Sequence, residues 1–303
     1  MLLGTDMKRV ISWILAVVVI IVIAGFMLVT YQQADHLVHY PLDERPPVTR
    51  QPQDFDLQVQ EVVLFNAIGQ KLHGYFSASA NGAYVMLQHG FKDNRGTMFE
   101  EAKLLQDAGF GILVTSVRSH DLNDGDEITF GVREMDDIHT WYNYLTGIHG
   151  AEPRKVGLLG NSMGASMAIE YAAFNQDVAA VVAVSAFSSI QDTINVSVVY
   201  FTGLPAFPFA SMISLWAETI LGMDVEQVNA TKAAAKLCHT PLFIMQGGQD
   251  IVVSVASGQW IYDAACGDKE LWFEEDLGHT KFDTKKPDEF KRRVIAFFDK
   301  ALL

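Results

Sequence analysis

A serine lies between two glycines in the stretch VGLLGNSMGASMAIEYAA, residues 156–173, where an apolar run meets a helix-like run. An abrupt turn from a strand into a helix strains the backbone at its apex and brings neighbouring chain very close, so side chains two positions away would clash. Gly160 and Gly164 avoid that clash and leave Ser162 exposed at the apex. Because the amides at a helix N-terminus favour negative charge, Ser162 is predicted to be a nucleophile.

A serine nucleophile needs a base that takes its proton and an acid that holds the base in one tautomer. His279, in the sequence LGHT, follows a late predicted strand, and Asp250, in GGQD, follows the strand before it. Both are expected at the sheet edge that carries Ser162, and the chain order Ser, Asp, His is typical of this arrangement. Asp192, which follows an earlier strand, is the alternative acid.

Acyl transfer also needs two donors for the oxyanion that develops on the substrate. The backbone amide of Met163, directly after the serine, is one candidate, and the amide of Phe91 in the loop QHGFKDNRG is the other. The same loop contains His89 and Gly90. We expect His89 to orient the loop through hydrogen bonds and not to act as the base.

Residues 60–303 begin with an antiparallel pair of predicted strands, and strand and helix patterns then alternate to the end. Such alternation predicts an α/β fold, with a mainly parallel sheet and helices on both faces. In such a sheet, ligands bind at the carboxyl ends of the strands, where the loops with Ser162, Asp250 and His279 are expected.

An insertion of about residues 188–229 interrupts this alternation. It is rich in aromatic and aliphatic residues, and its only charged residues between positions 188 and 223 are Asp192 and Glu218. We interpret it as an apolar cap that favours hydrophobic acyl groups. A second membrane span over residues 193–217 is the alternative, but glycine and prolines interrupt it and one crossing would split the sheet between two sides of a membrane.

The N-terminal segment, residues 1–34, contains an uncharged run from Val10 to Thr30 that is long enough to cross a bilayer. A cleaved signal peptide is the alternative, but small residues are lacking at a suitable cleavage position, so we predict an uncleaved anchor. Lys8 and Arg9 precede the run, which predicts a single-pass protein with a cytoplasmic N-terminus and an extracytoplasmic domain. Residues 35–59 hold four prolines and are predicted to form an extended stalk.

The net charge of −14 argues against nucleic acid as a partner. Cys238 and Cys266 are the only cysteines, and their spacing does not suggest a metal site. Each precedes a predicted strand, so both are expected at the sheet edge opposite the nucleophile, where a disulfide is geometrically feasible.

The motifs QHGF, NRG, ITFGVREMDDIHTWYNYL, GNSMGAS, GGQD and LGHT together resemble the α/β-hydrolase superfamily. The similarity is greatest to bacterial membrane-anchored or secreted serine hydrolases related to the S9/S33 peptidase-like and Bem46-like groups, and it covers roughly residues 60–303. The resemblance implies an eight-stranded sheet, the triad of Ser162, Asp250 and His279, and an oxyanion hole at the two amides named above.

One stretch departs from the pattern of that superfamily. Many relatives have Asp-x-Arg-x-His-Gly-x-Ser after the fourth strand, whereas this chain has SVRSHDLNDG. Ser116 therefore replaces the usual Asp, and Asp121 replaces the Gly.

Taken together, the sequence predicts a membrane-anchored serine hydrolase that cleaves carboxylic esters through an acyl-enzyme and needs no cofactor. The predicted substrate is a small ester or amide with an apolar acyl group. An aminopeptidase or amidase is the alternative enzyme, since the same triad supports both. A non-catalytic surface binding module is the alternative from another class.

Overall fold

The computed structural model describes the backbone of residues 3–303 and the side chains from residue 7 onward. Its centre is an eight-stranded sheet with the order β1-β2-β4-β3-β5-β6-β7-β8. The strands are β1 Gln60–Phe65, β2 Lys71–Ser77, β3 Tyr84–Gln88, β4 Gly111–Thr115, β5 Val156–Asn161, β6 Ala180–Val184, β7 Leu242–Gly247 and β8 Lys269–Glu274. Strand β2 is antiparallel to both of its neighbours, and the remaining pairs are parallel. The predicted mainly parallel, eight-stranded sheet is confirmed.

Ten α-helices surround this sheet within the described residues. They are α1 Leu3–Val38, α2 Phe99–Asp107, α3 Glu134–Asn143, α4 Met163–Phe174, α5 Ile190–Thr202, α6 Ala206–Leu221, α7 Ala230–Ala234, α8 Ser257–Ala264, α9 Phe282–Lys285 and α10 Pro287–Leu302. Buried side chains of α2 and α10 pack on one face of the sheet, and those of α3, α4 and α8 pack on the other. All five residues of β6, AVVAV, are buried, because helices cover both faces.

The insertion after β6 is helical. It forms α5 and α6, of 13 and 16 residues, which are separated at Gly203–Pro205. Each helix is shorter than the roughly 20 residues that a membrane crossing needs. Residues 193–217 thus form two cap helices whose buried side chains, such as Ile194 and Ile213, join the core of the domain.

Helix α1 contains the predicted span and extends eight residues past Thr30, to Val38. It is the one described helix that is by itself long and apolar enough to cross a membrane. Every side chain from Met7 to Gly25 is exposed, whereas Thr30, Ala34 and Val38 are buried against the domain. The apolar part of the helix therefore projects from the protein, and its C-terminal part is packed.

Residues 39–59 differ from the predicted extended stalk, because they lie against the domain. Tyr40 and Leu57 are buried there. Arg45 is also buried, and its guanidinium donates to the carbonyl oxygens of Tyr40 (2.8 Å) and Asn123 (2.7 Å). The prolines indicate that long helices and strands are absent, but a segment with only short 3₁₀ helices, at Leu42–Glu44 and Pro52–Phe55, still packs when its side chains find partners.

Cys238 and Cys266 form a disulfide in the structure, with their Cα atoms 4.7 Å apart. They precede β7 and β8, at the sheet edge opposite the one that carries Ser162. The bond therefore joins two neighbouring loops far from the candidate site.

Candidate active site

The backbone turns sharply at Ser162, which links β5 to α4. The residue has φ 55° and ψ −117°, a backbone conformation outside the regions that residues with a side chain usually adopt. A Cβ atom at Gly160 would lie 2.2 Å from the carbonyl oxygen of Gly164, and one at Gly164 would lie 2.3 Å from the carbonyl oxygen of Gln88. Both glycines are therefore required because backbone from a neighbouring element occupies the space of a side chain.

Three side chains from separate loops form one hydrogen-bonded chain at this edge of the sheet. Ser162 Oγ lies 2.8 Å from Nε2 of His279, and Nδ1 of His279 lies 2.7 Å from Oδ2 of Asp250. If Nδ1–H donates to the carboxylate, Nε2 is left as the acceptor for the serine proton. The arrangement can thus pass a proton from the hydroxyl to the imidazole while the carboxylate stabilises the imidazolium.

The Asp250 carboxylate is fully buried and is held from several directions. Oδ1 accepts hydrogen bonds from the amides of Val252 (2.9 Å) and Val253 (3.0 Å), and Nε2 of Gln246 donates to Oδ2 at 3.3 Å. Asp192, the alternative acid from the sequence, instead accepts from the Ser188 hydroxyl at 3.4 Å, and burial raises its pKa. The structure therefore brings Asp250, and not Asp192, against the imidazole.

The His279 loop is positioned by its neighbours after β6 and β7. The amide of Gln249 donates to the carbonyl oxygen of Leu277 at 2.8 Å, which joins the two loops that carry the acid and the imidazole. The amide of Thr280 donates to Oγ of Ser185 at 3.1 Å. Ser185 is fully buried, has φ 54° and follows β6 directly. Sequence reasoning missed this residue; its one signal was its place at the carboxyl end of a central strand.

The loop after β3 passes close over the serine. A Cβ atom at Gly90 would lie 3.3 Å from Cβ of Ser162. In residues 3–303, we find no protein acceptor for the backbone amides of Phe91 and Met163, the two predicted oxyanion donors. The Phe91 ring stacks on Phe130, with centroids 5.4 Å apart, which fixes the position of this loop.

Two buried histidines hold that loop from behind. His89 has both ring nitrogens occupied, since Nδ1 lies 2.8 Å from the carbonyl oxygen of Gly90 and Nε2 accepts from the amide of Val117 at 3.0 Å. His120, which sequence reasoning did not single out, accepts from the amide of Lys92 at 2.9 Å through Nε2. Burial lowers the pKa of both imidazoles, which keeps them neutral. Neither nitrogen of His89 is free to act as a base.

The departure at positions 116 and 121 keeps a carboxylate in the loop after β4. Asp121 has φ 51°, a left-handed conformation that suits glycine and that Asp tolerates better than most residues. The Ser116 hydroxyl donates to Oδ2 of Asp121 at 2.6 Å, and Nε of Arg95 lies 3.0 Å from the same oxygen as an ion pair. The carboxylate thus comes from position 121 instead of position 116, and the serine becomes its donor.

A buried glutamate lies behind the elbow. Oε1 of Glu101 accepts from the side-chain amide of Asn161, the residue before the serine, at 2.8 Å. Burial, with a smaller contribution from the charge of Asp283, raises the pKa of Glu101 to about 8. In the sequence this residue is one of two adjacent glutamates on an amphipathic helix, and nothing there distinguishes it from a solvated one.

No group of three His, Cys, Asp or Glu side chains in the described part of the chain lies in a geometry that could hold a metal ion. The site therefore consists of an elbow serine, an imidazole, a buried carboxylate and two free amides at the carboxyl edge of a parallel sheet. These are the features of the α/β-hydrolase fold.

Comparisons with known proteins agree with this assignment of the fold. Residues 79–209 match the family described as serine aminopeptidase, S33. The chain is 23% identical to the protein YqkD of Bacillus subtilis over 243 residues, 78% of each chain, and 22% identical to the protein Rv2307c of Mycobacterium tuberculosis over 277 residues, 90% of each chain. The chain therefore has the α/β-hydrolase fold, and the family match is consistent with a serine hydrolase of that fold.

Solved structures are similar in fold. An esterase of Pyrococcus furiosus, Pf2001, superposes with a TM-score of 0.72 at 23% identity, over 86% of this chain and 99% of the esterase. An esterase of Exiguobacterium antarcticum superposes with a TM-score of 0.58 at 16% identity, over 79% of this chain and 100% of the esterase. At these identities the similarity establishes the fold, and the family match supports a hydrolase.

Proposed function

We propose that this protein is a membrane-anchored serine hydrolase that cleaves carboxylic esters through an acyl-enzyme on Ser162. The observation that carries the proposal is the continuous hydrogen-bonded chain from Ser162 Oγ through His279 to the buried carboxylate of Asp250. A serine without such a base is a poor nucleophile, and a base without the carboxylate is not held in the required tautomer.

The reaction follows from these positions. His279 Nε2 takes the serine proton as Ser162 Oγ bonds to the carbonyl carbon, and the amides of Phe91 and Met163 donate to the resulting oxyanion. Collapse of this intermediate breaks the bond to the leaving alcohol, which receives the proton from the imidazolium. Water then attacks the acyl-enzyme with the same imidazole as base and releases the carboxylic acid and the free serine.

The cap supports esters over aminoacyl substrates. An aminopeptidase must bind the charged α-amino group of its substrate, usually with a carboxylate. Asp192 and Glu218 are the only charged residues of the cap between positions 188 and 223. Burial raises the pKa of Asp192, and its carboxylate accepts a hydrogen bond from the Ser188 hydroxyl within the cap. The family match to a serine aminopeptidase keeps an aminopeptidase as the second candidate.

The packing of α1 supports an uncleaved anchor over a signal sequence. Thr30, Ala34 and Val38 are buried against the domain, and Nε1 of Trp216 donates to Oγ1 of Thr30 at 3.2 Å. Cleavage after Thr30 would remove this hydrogen bond and expose the cap surface beneath it. With Lys8 and Arg9 before the span, we propose a cytoplasmic N-terminus and an extracytoplasmic domain.

Covalent labelling tests the proposal. A fluorophosphonate should modify the full-length protein in detergent, with the adduct on Ser162 by mass spectrometry. Ser162→Ala should abolish labelling and lower kcat by about 10⁶-fold, while replacement of an exposed cap serine, Ser211→Ala, should change neither. Wild type that does not label would instead be a binding module.

A substrate panel separates the two enzymatic candidates. Nitrophenyl esters of increasing acyl length should be hydrolysed with a higher kcat/KM than aminoacyl anilides. Preference for the anilides would establish the aminopeptidase instead.

A further inference from the structure

The cap contacts the C-terminal part of α1 over a defined stretch. The ring of Phe209, near the start of α6, packs edge-on against Phe26 with centroids 5.1 Å apart. Seven residues further along α6, the ring of Trp216 packs against that of Tyr31 with centroids 5.5 Å apart, and its Nε1 donates a hydrogen bond to Thr30. Helices α6 and α1 therefore run side by side in the same direction, with the start of α6 nearer to the apolar part of α1.

These contacts fix the depth of the cap relative to a bilayer. The uncharged run from Val10 to Thr30 is about 31 Å long as a helix, which matches a hydrocarbon core of about 30 Å. Phe26 lies four residues before the end of that run, about 6 Å inside it. Phe209, which packs on Phe26, therefore lies at the level where the acyl chains begin.

The cap exposes large apolar side chains at this same end. We call the exposed residues where α5 ends and α6 begins the cap corner: Val199, Tyr200, Phe201, Leu204 and Phe207. Phe201 is 68% exposed and Phe207 is 78% exposed. Residues 193–217 contain no charged side chain. Aromatic and aliphatic side chains without charges are suited to the interface of a membrane.

We propose that the cap corner inserts into the leaflet from which the domain emerges, so that the cap and α1 form one continuous lipid-facing surface. The inference rests on the membrane anchor proposed above. The corner continues from the end of α6 that lies beside Phe26, and the neighbouring side chains of α1 are themselves exposed from Met7 to Gly25. Lipid that surrounds α1 would therefore also reach the corner, without a second copy of the chain.

This position also gives the catalytic edge an orientation. Helix α5 begins six residues after β6 ends, on the carboxyl side of the sheet. Ser162 follows β5 on the same side. Insertion of the corner therefore turns the edge with Ser162 toward the membrane surface, and the edge with the disulfide away from it.

Spin labelling tests the insertion in the full chain. Because Cys238 and Cys266 are joined to each other, a cysteine introduced elsewhere is the only free thiol. The variant Phe207→Cys is labelled with a nitroxide and reconstituted, one chain per nanodisc, in phosphatidylcholine with phosphatidylglycerol. Its collisions with apolar O₂, relative to those with a water-soluble nickel chelate, measure its depth.

Two further labels serve as matched controls. Phe174→Cys, at the exposed C-terminal end of α4, should report water, and Ile20→Cys, in the middle of α1, should report the bilayer core. We expect the O₂-to-nickel collision ratio at position 207 to be several-fold higher than at position 174 and lower than at position 20. All three positions are exposed, so these substitutions should leave the fold intact.

Each outcome has one meaning. A ratio at position 207 equal to that at position 174, with position 20 in lipid, overturns the insertion and leaves the anchor standing. Water exposure at position 20 overturns the anchor itself. The nitroxide spectrum at position 207 could also be broadened in vesicles by a label on a second copy of the chain. If this broadening disappears on dilution with unlabelled protein, the corner is a contact between copies and the proposal is overturned. None of these readouts depends on hydrolytic activity.

Discussion

At the catalytic edge of the sheet, polar side chains are buried and held by several partners, whereas the cap corner exposes large apolar side chains to its surroundings. Asp250 receives two backbone amides, a side-chain amide and the imidazole of His279. Phe207, in contrast, is 78% exposed. The catalytic edge is preorganised by the protein, whereas the corner is the surface for which we propose contact with lipid. Catalysis needs charges held at fixed positions, which requires a rigid site. Contact with lipid needs exposed apolar side chains, which the rest of the protein leaves uncovered.

After loss of Ser162 itself, the largest expected effect concerns the buried acid. Asp250→Asn should lower kcat about 10⁴-fold, because the amide no longer holds His279 in the tautomer that accepts the serine proton. The measurement is kcat for a nitrophenyl ester, with the melting temperature as a check on folding. Asp192→Asn is the matched control and should leave kcat nearly unchanged. A larger loss of kcat in Asp192→Asn than in Asp250→Asn would identify Asp192 as the acid of the triad.

The second effect concerns the steric basis of the elbow. Gly160→Ala would place a methyl group 2.2 Å from the carbonyl oxygen of Gly164, so the turn must shift. We expect a loss of about 3 kcal/mol in stability and loss of fluorophosphonate labelling. Gly147→Ala is the control, since a Cβ atom there meets nothing within 4 Å and its φ is not positive. Equal melting temperatures for the two variants would show that the catalytic edge is as tolerant of change as an open surface.

The third effect is a pH dependence of the stability that comes from Glu101. Its pKa is about 8 in the folded protein and about 4.3 in the unfolded chain. Between these values the folded state keeps a proton that the unfolded state has released, so stability falls as pH rises, by up to about 1.4 kcal/mol per unit. Glu101→Gln keeps the acceptor for Asn161 but cannot ionise.

Melting temperatures at pH 5 and pH 8 measure this dependence. The decrease between the two pH values should be smaller in Glu101→Gln than in wild type, and Asp283, whose pKa burial also raises, should account for part of what remains. Glu100→Gln changes an exposed neighbour and should leave the wild-type decrease in place. An unchanged decrease in Glu101→Gln would contradict a protonated glutamate behind the elbow.

The local features of the site were predictable because their causes are local. The two glycines around Ser162 are required by a turn of five residues, and apolar patterns with periods of two and 3.6 residues identify the strands and helices. Once a parallel sheet was predicted, loops after neighbouring strands had to meet at one edge, which made His279 the candidate base and left Asp250 and Asp192 as the candidate acids. His89 was predicted to orient its loop, and the structure places it with both nitrogens bonded.

Other features arise from contacts between distant residues of ordinary type. Ser185 and Thr280 meet across 95 positions, and His120 supports Lys92 across 28. Nothing in the local sequence of Arg45 indicates that it is buried on backbone carbonyls, which is why a packed segment was predicted to be a stalk.

The sequence by itself determined the turn at Ser162, the sheet and the apolar helix, since steric limits and periodicity act over a few residues. Only the tertiary structure decided which carboxylate reaches the imidazole, where the N-terminal segment lies and how the cap meets α1. These are choices among many partners of similar chemistry, and they are made by packing, in which each contact depends on the positions of all the others.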